Sequence, residues 1–215
     1  MGIAERKERE KEQRRRDIVD AAERVFFTKG YDLSTMDDVA TEAELSKGTL
    51  YLYFNSKDEL HFAIMEKGME ILLDLMESKL NQNDNGRRNL RSLGVALVEF
   101  SKLHPNYFSA LIFFQSRDIE QQKLDEFKLK KFLSGRSSLS MLNDSIKKGM
   151  QDGSIRKDVE VGKMSMTLWA QMMGVLVMHS TKKLAFDHFN VGLEDLVDTH
   201  LQLIQDGLKP KIEQE

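Results

Sequence analysis

Proline occurs only twice in this 215-residue chain, at Pro105 and Pro210, and no segment alternates polar with apolar residues over the length of a strand. A chain without strand patterning and almost without helix breakers reads as helices from end to end, so the expected fold class is all-α. From Glu12 to Lys29 the apolar residues Ile18, Ala22, Val25 and Phe26 recur at three- and four-residue intervals, and Gly30 supplies a stop. Residues 1–16 carry seven basic side chains (Arg6, Lys7, Arg9, Lys11, Arg14, Arg15, Arg16) against four acidic ones (Glu5, Glu8, Glu10, Glu12). Acid-before-base pairs at i, i+4 (Glu5 to Arg9, Glu10 to Arg14, Glu12 to Arg16) extend the first helix backwards. This segment reads either as a solvated extension or as an arm that touches DNA.

Composition removes several classes of function. With no cysteine, disulfide frameworks, thiolate metal sites and Cys nucleophiles are excluded. The longest apolar stretch, Met172 to Met178, is far short of the ~20 residues of a membrane span. The charged start is the reverse of an export signal, so a cytoplasmic protein without a membrane anchor is expected. His61, His104, His179, His188 and His200 form no HxxxH pair, and there is no Gly-rich phosphate loop and no GxSxG elbow. Neither enzyme, metal nor cofactor is expected. The net charge of -3 gives no global positive field, which leaves local basic patches as the route to nucleic acid.

The next segment is more specific. Ser34 and Thr35 offer N-caps to a second helix at about 35–43, with Asp37 and Asp38 three residues on as a capping box. Its stripe is Met36, Val39, Ala40 and Ala43, and Ser46 caps a third helix ending near Phe54. Two short helices joined by a tight turn make a helix-turn-helix. On a helical wheel Leu50 and Phe54 share the inner face, while Gly48 and Leu52 lie opposite, flanked by Thr49 and Tyr51. A glycine there costs roughly 1 kcal/mol of helix propensity, and close approach to a partner such as a major groove compensates. Around this strip stand groups suited to phosphate: Thr35, Thr49, Tyr51, Tyr53 and Lys57. Lys47 is the long donor able to reach a base edge.

The stretch GYDLSTMDDVATEAELSKGTLYLYFNSKDEL, residues 30–60, resembles the N-terminal helix-turn-helix of the TetR family of bacterial transcriptional regulators, SKGTLYLYFNSKDEL being its most specific part. The resemblance spans about residues 14–62. It implies a DNA-binding domain over 1–57 and a ligand-binding and dimerisation domain over 58–215. It further implies a homodimer that binds a double-stranded DNA operator, acts as a repressor, and responds to a small-molecule effector. By position, Thr35, Tyr51 and Tyr53 correspond to phosphate contacts, Lys47, Gly48 and Thr49 to base or nearby phosphate contacts, and Lys57 to the lysine opening the fourth helix. Glu44 stands where the family most often has a turn glycine, so a positive φ there would cost about 1 kcal/mol.

Beyond Ser56 the reading gives a long fourth helix through Leu75, a polar loop at 81–89, and helices at 90–103, 105–115, about 118–151, 160–185 and 192–208. DGSIRKDVEVGKMS, residues 152–165, is similar to the segment before the dimer-forming helices of many members. Aromatic residues are dense in this part of the chain, ordinary core being their commonest meaning. The family's effector pocket is expected among His104, Phe108, Phe113, Phe114, Trp169 and Met172. The apolar stripe Leu193, Leu196, Val197, His200, Leu201 and Ile204, with Leu168, Val175 and His179 on the preceding helix, is expected to close a four-helix bundle with a second chain. A helical adaptor that binds protein through its basic first helix remains the alternative function.

Overall fold

The computed structural model describes residues 2–116 and 136–210. Among these there are ten helices and no strand. They are α1 (Ile3–Lys29), α2 (Met36–Glu42), α3 (Lys47–Tyr51), α4 (Lys57–Lys79), α5 (Gly86–Leu103), α6 (Pro105–Ser116), α7 (Ser138–Gln151), α8 (Val161–Thr181), α9 (Lys183–His188) and α10 (Leu193–Leu208). The all-α expectation holds. Among the described residues no helix is long and apolar enough to cross a membrane.

The described residues form two compact units. Unit 1 holds residues 2–69 and 106–116; unit 2 holds 70–105 and 136–210. In unit 1 the inward stripe of α1 does what its periodicity predicts: Ile18 and Ala22 are fully buried with Val39, Leu50, Phe54, Leu60 and Ile64. Ala110 of α6 joins the same cluster. Thr35 caps α2, its Oγ1 accepting from Asp38 N–H at 3.1 Å, while the Asp38 carboxylate accepts from Thr35 N–H at 3.0 Å. The capping box therefore forms with Asp in place of Glu. Ser34 instead donates to Gly30 O at 2.6 Å. Ser46 caps α3 through Thr49 N–H at 3.1 Å.

In unit 2, α5 packs along α7, α7 along α8, and α10 against both α5 and α8. α5 starts four residues earlier than its apolar stripe suggests, because Asn85 Oδ1 caps Arg88 N–H at 2.9 Å and Asp152 Oδ2 takes Gly86 N–H at 2.8 Å. The second of these partners is 66 residues away, beyond the reach of local patterning. α5 and α7 meet at Gly86 and Gly149: a Cβ on Gly86 would lie 2.0 Å from Gly149 N and 2.3 Å from Ser145 O. Only hydrogen fits there.

Two long helices of the sequence reading are shorter in the structure. The expected 160–185 helix ends at Thr181, where Ser180 Oγ and Thr181 Oγ1 both donate to Val177 O, competing with the backbone ladder before Lys182 leaves it at φ -121°. Of the expected 118–151 helix, the part up to residue 135 lies outside the described residues. The remainder opens afresh at Ser138 under a Ser137 cap.

Candidate nucleic-acid interface and ligand cavity

The outer surface of α3 is built as the wheel predicts. Leu50 points into the core, Leu52 is 81% exposed, and Tyr51 is also exposed. A Cβ on Gly48 would meet only Ser46 Oγ, at 3.9 Å, so nothing inside the protein requires glycine at this position. The alternative is a demand from outside. Thr49 Oγ1 sits 2.8 Å from Ser46 Oγ, and Thr35 donates to Asp38 Oδ2 at 2.9 Å, so both hydroxyls are already oriented by local bonds. Lys47 reaches back to Asp37, 2.7 Å away, and this hydrogen bond raises the pKa of its ammonium. Both side chains are exposed, so the pair is weak and breakable.

Two of the expected contacts are partly buried and also have partners inside unit 1. Tyr53 is partly buried against the unit 1 core. The Lys57 ammonium donates to Tyr31 O at 2.8 Å and Ser34 O at 3.0 Å, with Asp32 O at 3.5 Å, and lies 4.2 Å from the Tyr31 ring centroid. It thereby closes the α1–α2 turn, a role that sequence position alone does not reveal. Lys57→Met should therefore lower the stability of unit 1 by about 1–3 kcal/mol, the usual scale for hydrogen bonds to a charged group. The salt slope of DNA binding should stay at the parent value; a slope shallower by about one would mean that this lysine leaves its carbonyls for a phosphate.

Glu44 adopts φ 54°, the left-handed conformation that its position in the turn demands. The turn accommodates it with Leu45 N–H bonded to Ala40 O at 2.8 Å, at a conformational cost of about 1 kcal/mol relative to glycine.

Unit 2 contains a largely apolar cavity between α5, α8 and α10, enclosing about 40 Å³, with Leu93, Gly94, Leu97, Met172 and Leu201 among its lining residues. Trp169 lines it too, as do two cations of α5, Arg87 and Arg91. Of the six pocket residues expected from sequence, Trp169 and Met172 line this cavity. Phe113 lines a separate cleft within unit 1 beside Tyr31 and His61, and Phe114 packs on Phe62 there. Phe108 is buried in unit 1, and His104 stacks near Phe100 in unit 2. Three of the six belong to unit 1 and three to unit 2. Leu93 and Leu201 had to come from packing, since an apolar stripe alone does not say which of its residues border a void.

The stripe expected to meet a second chain is divided as well. Leu168, Val197 and Leu201 are buried within unit 2, and Leu168, Leu201 and Ile204 line its cavity. These residues already have partners in their own chain. Val175, His179, Leu193 and Leu196 are half-buried, as is His200, whose Nε2 is buried without a hydrogen bond and whose pKa burial pushes down. The outward face of α8 instead presents Met166, Ala170, Gly174 and Met178.

A short glycine-bearing helix held outward by a capped partner helix defines a helix-turn-helix DNA-binding protein. Residues 18–64 match the model of the tetR family of bacterial regulatory proteins. Over 147 residues the chain is 33% identical to the HTH-type transcriptional regulator YhgD of Bacillus subtilis strain 168, covering 66% of this chain and 72% of that one. It is 32% identical over 103 residues to the HTH-type transcriptional activator FasR of Mycolicibacterium smegmatis, covering 48% of this chain and 47% of FasR, so that match spans about half of the relative's length. The crystal structure of the regulator FadR from Bacillus subtilis in complex with stearoyl-CoA superposes with a TM-score of 0.70 at 20% identity, over 89% of this chain and 98% of that one. The chain belongs to the TetR family of bacterial transcriptional regulators.

Proposed function

We propose that this regulator is a cytoplasmic homodimer without enzymatic activity, which represses transcription from a near-palindromic operator and is released by an amphipathic effector. The functional boundary is proposed at 57/58, at the start of α4, with residues 58–215 serving ligand binding and dimerisation. Thr35, Lys47, Gly48, Thr49 and Tyr51 are the proposed DNA contacts. The two-fold contact is proposed on the outward face of α8 with α10, where small and apolar side chains are exposed together. The proposed effector has a long apolar tail and an anionic head. Support comes from the apolar cavity with Arg87 and Arg91 among its lining residues and from the stearoyl-CoA that the similar FadR binds.

The observation that carries the DNA reading is Gly48, a glycine in the first turn of α3 for which the protein's own packing gives no reason. A protein-binding adaptor would have no use for it. Gly48→Ala should raise thermal stability by up to about 1 kcal/mol. It should weaken operator binding by about tenfold or more, the scale of a single bidentate pairing with a base. The operator is obtained by selection from random duplexes, and footprinting should show half-site centres about 34–36 Å apart. Undiminished affinity in Gly48→Ala would remove α3 from the groove. Enhanced rather than blocked transcription in a reconstituted assay would reverse the proposed sign.

A further inference from the structure

We infer that Lys7, Lys11 and Arg14 form a second nucleic-acid contact, a basic stripe that grips the phosphates of the duplex flanking the sequence read by α3. The inference rests on the proposal that α3 reads DNA. α1 is 27 residues long, but its core packing begins only at Ile18; residues 4–14 are all exposed. At 100° per residue, Lys7, Lys11, Arg14 and Arg15 fall within one arc of about 100°, with no acidic residue inside it. The same arc, continued down the helix, carries the buried Ile18, Ala22 and Val25. The face that packs on the helix-turn-helix therefore becomes, one turn earlier, a basic face.

Arg15 marks the junction. Its guanidinium lies 4.5 Å from the centroid of Phe54, the buried ring just past the end of α3. The stripe thus starts beside the C-terminal end of α3 and runs on for ~10 Å from Arg14 to Lys7, at 1.5 Å of rise per residue.

The ion pairs expected along this segment do not neutralise it. Glu10 bonds to Arg6 at 2.8 Å rather than to Arg14, Arg16 bonds to Gln13 at 2.9 Å, and the Glu5 carboxylate takes Gly2 N–H at 2.9 Å. Among the described residues, Lys7, Lys11 and Arg14 hold no hydrogen bond or ion pair. In a chain of net charge -3, three uncompensated cations on one face, continuous with the DNA-reading unit, match a polyanion that extends beyond a half-site.

The test uses the full chain with Lys7→Gln, Lys11→Gln and Arg14→Gln together, a change that keeps helix propensity and touches no core residue. On the selected operator with long flanks, the plot of log affinity against log salt should become shallower by about 0.9 for each phosphate that is no longer neutralised, nearly three per engaged chain. Hydroxyl-radical protection outside the half-sites should disappear while protection within them stays. At about 0.1 M salt the affinity should fall on the order of 10²-fold. Equal slopes and equal protection for parent and variant would overturn the inference and make the stripe a solvated helix surface, leaving the α3 reading intact. A parent chain that selects no duplex at all would overturn both.

Discussion

Filling the unit 2 cavity with a long-chain acyl compound bearing an anionic head should weaken operator binding by roughly 5- to 150-fold. Ligand sites for molecules of that size occupy about 300–1,000 Å³, whereas the void here is about 40 Å³. The compound therefore cannot enter this arrangement unchanged; it must select one in which the lining helices stand further apart. A ligand that binds one arrangement better than another shifts the population by its differential affinity, and a difference of about 1–3 kcal/mol corresponds to the stated range. α4 is the helix that belongs to both units, so it is the element through which the shift is proposed to reach the DNA-reading residues. Trp169, in the cavity wall, reports occupancy by fluorescence independently of DNA. Saturated Trp169 quenching with unchanged operator affinity would sink the effector proposal for that compound.

Replacement of Phe54 by alanine should destabilise unit 1 by about 3–5 kcal/mol, the cost of deleting a fully buried aromatic ring and leaving a cavity. The site is unusually exacting because the ring also carries the Arg15 guanidinium on its face, an attraction that contributes up to about 1 kcal/mol near the surface. Phe54→Leu keeps most of the volume and should cost less than half as much. Calorimetry of the two variants distinguishes the cases. If Phe54→Ala costs less than about 1 kcal/mol, well under the usual range for such a deletion, the ring does not anchor the turn between α3 and α4, and its full burial has another cause.

The residues that were legible in the sequence share one property: their partners are near in the chain. Thr35 with Asp38, Ser46 with Thr49, and the inward placing of Leu50 and Phe54 are set within four residues, so caps and periodicity place α2 and the start of α3 within a residue, although α3 ends at Tyr51 rather than near Phe54. The positive φ of Glu44 stands where the resemblance has a turn glycine, but the sequence left the turn's conformation open. What escaped was set by distant chain. Lys57 bonds to carbonyls more than 20 residues away, the early start of α5 depends on Asp152, and Leu168, Val197 and Leu201 are buried within one chain rather than between two. An apolar stripe announces that a face is covered without naming the cover. The expected effector residues are likewise divided by long-range folding: Phe113 and Phe114 belong to unit 1, whereas Trp169 and Met172 belong to unit 2.

The crossing of α5 and α7 at Gly86 and Gly149 has a mechanical consequence. With backbone atoms already touching, these two helices can neither approach nor slide without collision, so they form the stationary jaw of unit 2. Any widening of the cavity must then be taken up by α4, α8 and α10, which contribute Met76, Met172 and Leu201 to its wall, and the last two helices are those proposed to face the second chain. A guest in one protomer would push its wall directly into the other, and the first molecule bound would set the terms on which the second can enter.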